Sequence, residues 1–185
     1  MGTIKTTNIE TITGSGTLTL GQSGETLSVA GKMSGQNYPA FEATLSSEQV
    51  ITANTITKVQ YNTEKFDTDS AYDNATNYRF TVPAGKDGKY IIYYSNYMRA
   101  NEITGLQFAD CLFSLNGTTL DDSFVDLRNG GDGHQFQISK TIALDLIATD
   151  YIEIFARIAI SSGTCQITGG GGGSVSVFGA YRIGA

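Results

Sequence analysis

Charge is scarce in this chain. Of 185 residues only 16% are charged, against about 25% in ordinary soluble proteins, and the 12 Lys and Arg are outnumbered by 18 Asp and Glu. The resulting net charge of -6 and the lack of any basic cluster exclude a nucleic-acid partner, which demands a positive surface. Two cysteines, Cys111 and Cys165, are too few for a disulfide framework. A single histidine, His134, leaves no paired-histidine metal site within one chain. No apolar run is long enough to span a bilayer, and residues 1–7 lack the apolar core of a secretory signal. Two prolines and 22 glycines, without a Gly-X-Y period, exclude collagen and suit many turns. Helical periodicity is nearly missing as well; residues 46–50 are the one place where a helical turn is expected.

What the chain has is short alternating strands. Over residues 1–38 the pieces 9–12, 18–20 and 27–29 are very short and are punctuated by Gly14, Gly16, Gly21, Gly24 and Gly31. Residues 16–21 and 24–31 form a brief internal repeat. Strands of this length do not bury a core alone, so residues 1–38 read as an attachment and trimerisation segment in which three copies share one axis. A flexible tail is the alternative reading.

From residue 39 to 185 the strands lengthen into the spacing of an all-β sandwich. Residues 77–85 and 87–94 read as strand, tight turn, strand: Tyr78, Phe80 and Val82 alternate, Pro83 ends the run, and Gly85 and Gly88 supply turn conformations. Other strand signals lie at 41–45, 57–62, 113–117, 142–154 and 176–183. Ile152, Ile154, Ala156, Ile158 and Ile160 share one parity and Glu153, Phe155, Arg157 and Ala159 the other, which predicts one buried face. Taken in order, and with the Phe178-Gly179-Ala180-Tyr181 ending, these segments resemble the complement C1q-like, tumour-necrosis-factor-like jelly roll over about four fifths of the chain. Thr149-Asp150 stands where that family usually has Gly-Asp, and Ala180 where it usually has glycine. The resemblance implies a jelly-roll head over residues 39–185 that assembles as a homotrimer. Lys5-Thr6-Thr7-Asn8-Ile9 is similar to the opening of many bacteriophage fibre proteins, which implies a virion protein assembled in the host cytoplasm and joined to other virion proteins through residues 1–38.

Several groups are candidates for chemistry or contact. No serine or cysteine nucleophile has a recognisable setting, Asp121, Asp122 and Asp126 read as solvated loop carboxylates, and the glycine run opens no helix, so no enzyme is expected. Asp67, Asp69 and Asp73 offer three closely spaced carboxylates and are candidate calcium ligands, with a solvated acidic loop as the other reading; no other cofactor is expected. Cys111 is expected to be a buried apolar residue and Cys165 to sit in an exposed Gly/Ser/Thr loop.

The strand at 90–97 carries aromatics on both faces, Tyr90 and Tyr94 on one, Tyr93 and Tyr97 on the other. One such face fills the core, and the other fits a subunit interface or a sugar-stacking platform. Tyr93, Tyr97, Phe155 and Tyr181 are therefore the candidate trimer interface. Gly169, Gly170, Gly171, Gly172 and Gly173 form a backbone-only loop that is either a receptor contact or a tolerated flexible connection. These features together point to a non-enzymatic fibre or spike on the virion surface, with a C1q-like head binding a host-surface glycan by avidity. The alternative is a capsid or tail decoration protein that stabilises the particle without binding a receptor. A polysaccharide-hydrolysing spike lacks support in the sequence.

Overall fold

The computed structural model describes residues 24, 26, 39–101, 105–128, 134–170 and 175–184. The chain divides into two units, Met1–Gln36 and Asn37–Ala185. The short strands and repeat expected over residues 1–38 lie outside the described residues, apart from two isolated positions. All regular structure described in the second unit is β.

Thirteen strands follow in chain order: β1 Ala40–Thr44, β2 Gln49–Ile51, β3 Thr57–Lys58, β4 Thr63–Asp67, β5 Tyr72–Asp73, β6 Arg79–Thr81, β7 Gly88–Ala100, β8 Leu106–Leu115, β9 Thr118–Asp126, β10 Gln135–Leu146, β11 Tyr151–Ile160, β12 Cys165–Ile167 and β13 Val177–Gly184. They form two antiparallel sheets. In the first, β4, β1, β13, β7 and β10 lie side by side, and β12 continues along the same edge of β7 as β13, with β2 beyond it. In the second the order is β5, β6, β11, β8 and β9, with β3 also pairing β11. We call these the β7 sheet and the β11 sheet. Their connectivity is that of a jelly roll.

Alternation decides which side chains face inward. On β7, Tyr90, Ile92, Tyr94, Asn96, Met98 and Ala100 are buried while their odd-numbered neighbours are partly exposed. On β11 the even positions 152–158 are fully buried, as their parity predicts. The core is mostly aromatic at one end. Phe41 stacks on Tyr72 and Phe80, and Phe178 meets the Phe41 ring edge-on at 4.9 Å. Each such pair adds roughly 0.5–1.5 kcal/mol beyond area burial. Between the sheets Tyr61 Oη donates to Asn96 Oδ1 at 2.6 Å, Tyr94 Oη to the Cys111 carbonyl at 3.0 Å, and Asn96 Nδ2 to Cys111 Sγ. Burial pushes the Cys111 thiol well above its ordinary value, so it is an inert core residue, as expected.

Four expectations need correction. Residues 77–94 are not a hairpin: β6 pairs β5 and β11, whereas β7 pairs β10, β12 and β13, so the chain crosses from one sheet to the other at Pro83–Asp87. Pro83 lacks an N–H and cannot extend the ladder, and Gly85 turns the chain at φ 73°. Tyr78 sits at φ 50°, outside β6, rather than in its alternation. Residues 46–50 make a bend running into β2, because Gln49 and Val50 are drawn into register with Ile167 and Gln166. Cys165 is buried in β12 rather than exposed, its backbone pairing both Ile51 and Ala100. Both cysteines are free.

Candidate functional site

The outer face of the β7 sheet is built by the alternate positions of five strands. β7 contributes Ile91, Tyr93, Ser95, Tyr97 and Arg99, and β13 contributes Gly179, Tyr181 and Ile183. At its centre Gly179 lies opposite Tyr93. A Cβ on Gly179 would stand 2.5 Å from Tyr93 Cζ, so only glycine lets that ring lie flat across β13. The ring's hydroxyl then reaches β1, where it donates to Glu42 Oε2 at 2.5 Å, while Lys65 Nζ of β4 donates to Oε1 at 2.6 Å. Burial pushes the Glu42 carboxyl up, but the two hydrogen bonds and the Lys65 charge outweigh it and hold it below its usual value. Burial, and then the bond to Glu42 and its charge, push the Tyr93 hydroxyl well up. Around this polar centre Phe66 (48% exposed), Tyr181 (41%) and Ile183 (46%) stand open to solvent.

The opposite face, on the β11 sheet, is organised differently. Arg157 grips the nearly buried Asp110 through Nε and Nη2. Lys58 Nζ lies 2.5 Å from Glu153 Oε1 and sits over the Phe155 ring at 5.7 Å. Arg79 lies over Tyr151 at 4.3 Å, and Arg128 and Arg157 both lie over Phe108. Each of these acids has a cation, and each of these rings a guanidinium or ammonium.

Tyr93, Tyr97 and Tyr181 thus share one surface. Phe155 does not: β11 belongs to the other sheet, so the fourth residue of the expected interface lies on the far side of the sandwich. Sheet membership depends on non-local pairing, which parity along one strand does not reveal.

The three candidate calcium ligands are each committed to the loop that holds them. Asp67 accepts from Tyr72 N at 2.8 Å and Asp69 N at 3.3 Å. Asp69 pairs with Lys86 at 3.4 Å. Asp73 accepts from the backbone N–H of Thr76, Ala75 and Asn77, and these bonds, Thr76 first, lower its carboxyl to about 2. Among the described residues no group of three acidic, cysteine or histidine side chains is placed to hold a metal ion.

Gly169 and Gly170 are packing residues. A Cβ on Gly169 would meet Ser47 O at 2.2 Å, and Gly170, at φ 88°, donates its N–H to Leu45 O at 3.0 Å. They pin the bend at 45–48 against the end of β12. Gly171, Gly172 and Gly173 lie outside the described residues. Asn116-Gly117, both with positive φ, is the two-residue turn joining β8 and β9, and its Asn-Gly pair is a local signal for that hairpin.

No model of a known protein family matches the chain, and no curated protein matches it in sequence. Solved structures do share its fold. The globular domain of zebrafish complement 1qA protein superposes with a TM-score of 0.54 at 13% identity, covering 79% of this chain and 98% of that one. The Eiger TNF from S. frugiperda gives 0.55 at 11% identity, covering 80% and 94%. The class is therefore an all-β, C1q/TNF-like jelly roll. At such identities the likeness speaks to fold alone.

Proposed function

We propose that this chain is a non-enzymatic bacteriophage virion protein, a homotrimeric fibre or spike whose jelly-roll head, residues 39–185, adheres to a host-surface glycan. Residues 1–38 attach it to other virion proteins. The observation that carries the assembly half of this reading is the difference between the two outer faces. The β7 sheet leaves Phe66, Tyr181 and Ile183 open around one ion pair, whereas the β11 face is laced with ion pairs and cation–ring contacts. A second patch, Leu120 and Phe124, lies at the β9 edge of that same β11 sheet; it is exposed and unlike the first. Contact between two unlike patches is heterologous, and such contacts form a ring where the rotation between copies closes. A ring of three is the assembly that the C1q/TNF-like fold favours. The virion half rests on the fibre-like phrase at residues 5–9 and on a polar, weakly charged composition.

Adhesion follows from trimerisation, since three weak sites on one rigid head act together. Light scattering on the full chain checks the assembly, with a mass three times that of one chain expected at micromolar concentration. Electron microscopy of intact particles checks the location. A protein found away from the virion surface would overturn the adhesin reading.

A further inference from the structure

The chain enters the head at Pro39, whose carbonyl accepts from Arg182 N at 3.1 Å, beside the start of β7. The other end of β7, at Arg99, lies roughly 30 Å away along the strand. There the outer face changes character. Arg99 lies directly between Gln166 of β12 and Gln135 of β10, and Tyr97 is bonded through its carbonyl to Thr168 N. Gln166 alternates with Cys165 and Ile167, which point into the core, so it points outward, yet it is only 8% exposed. Among the described residues three buried side-chain polar atoms have no hydrogen-bond partner: Arg99 Nε, Gln166 Nε2 and Thr168 Oγ1. All three belong to this one patch. Unpaired buried donors cost free energy, so three on adjacent positions call for a partner.

We infer that this patch, Tyr97, Arg99, Gln166 and Thr168 with Glu48 beside them, is a binding subsite for a neutral sugar residue; the inference rests on the adhesin reading and gives it a place and a ligand class. Two N–H donors and a hydroxyl require oxygen acceptors. The Arg99 charge is already met by Glu48, whose Oε1 lies 2.8 Å from Nη2, so an added carboxylate or sulfate would bring an uncompensated negative charge to a chain already at -6. Sugar hydroxyls fit instead: they accept from Arg99 Nε and Gln166 Nε2 and donate to Glu48. Arg99 and Glu48 are each more than a third exposed at the side chain, so both can be reached from solvent. Tyr97 supplies a ring beside the donors for the apolar face of the sugar. The bend carrying Glu48 is held by Gly169 and Gly170, which gives those glycines a supporting role rather than a contact one. Tyr93 lies roughly 20 Å back along β7 from Arg99, so the donors stand at the far end of the face from its apolar part, and Tyr97, a candidate interface residue, is assigned to the sugar instead.

The test is side-chain amide and guanidinium NMR on the full chain, titrated separately with the methyl glycosides of glucose, galactose and N-acetylglucosamine and with glucuronic acid. At least one neutral glycoside should move the Gln166 amide and Arg99 Nε–H signals. Gln166→Glu, nearly isosteric but with an acceptor in place of the donor, should weaken that binding about tenfold or more with the melting temperature retained. Arg99→Lys, which keeps the charge for Glu48 but removes Nε–H, should do the same. Movement with glucuronic acid alone, movement on changing protein concentration without sugar, no movement at all, or unchanged binding in both variants would each overturn the subsite. Adsorption of the labelled protein to bacterial cells separates the two claims. Cells that bind a protein whose Gln166 and Arg99 signals ignore every sugar would sink the subsite and leave adhesion standing. Signals that move in a protein no cell binds would do the reverse.

Discussion

The two outer faces of the sandwich solve the same problem in opposite ways. Both belong to strands whose inner positions fill one core, and both carry aromatic and charged residues. On the outer face of the β11 sheet Phe108, Tyr151 and Phe155 each lie under a cation, and Asp110 and Glu153 are held by Arg157 and Lys58. On the β7 sheet the polar centre Tyr93–Glu42–Lys65 has beside it Phe66, Tyr181 and Ile183, apolar side chains that stand open among the described residues. Among the described residues the first face is closed by ion pairs over its centre and open only at its β9 edge, whereas the second is open beside its centre. Residue composition alone would not separate them; pairing does.

The comparison breaks most sharply at Arg157. Removing it by Arg157→Ala strands the buried Asp110 carboxylate, and the chain should lose about 3 kcal/mol in denaturant unfolding while keeping its oligomeric mass. Loss of the oligomer without loss of stability would mean that Arg157 serves the interface rather than Asp110. Gly179→Ala acts on the other face. The new methyl displaces the Tyr93 ring and with it the bond to Glu42, an overpacking cost of about 2 kcal/mol. Here stability and assembly should fall together, as read by thermal melts at two protein concentrations.

Asp73 gives a smaller, pH-dependent effect. Its carboxyl is held at about 2 in the folded chain against 3.8 ordinarily. Its contribution is thus fully present above about pH 4 and is lost as pH falls through the folded value near 2. Asp73→Ala should cost about 1 kcal/mol near neutrality, as for a lost cap, and should flatten the acid limb of stability over that window. The smallest change is expected from deleting residues 1–38. The remaining head should unfold cooperatively at nearly the same temperature, since its sheets are completed by strands after Pro39; loss of a cooperative melt would place the boundary elsewhere.

Much of the fold was legible because it is written in alternation. The buried even positions of β11, the two-faced β7 and the inward Phe178 and Ala180 of β13 follow from parity and from the jelly-roll resemblance. What escaped depends on partners distant in sequence. β12 is three residues long inside a Gly/Ser/Thr stretch, too short to show a period, and forms only because Ile51 and Ala100 flank it. The apparent hairpin at 77–94 has the right local residues, but β6 and β7 go to different sheets. Phe155 is like the tyrosines in residue type and is separated from them by topology. The glycine run looked uniform, yet Gly169 and Gly170 are fixed by contacts with the bend at 45–48. Gln166 and Thr168 carried no signal at all, since an outward polar residue becomes informative only when it proves to be buried and unpaired.

Hydroxyl-radical footprinting of the full chain in solution tests the difference between the faces most directly. Phe66, Tyr181 and Ile183 are each more than two fifths exposed in a single chain. If the β7 face is the self-association surface, their oxidation at micromolar concentration should fall far below that of Ile147, which is exposed in a turn, and should recover on dilution. Labelling of Phe66, Tyr181 and Ile183 in proportion to their single-chain exposure at every concentration would contradict the account.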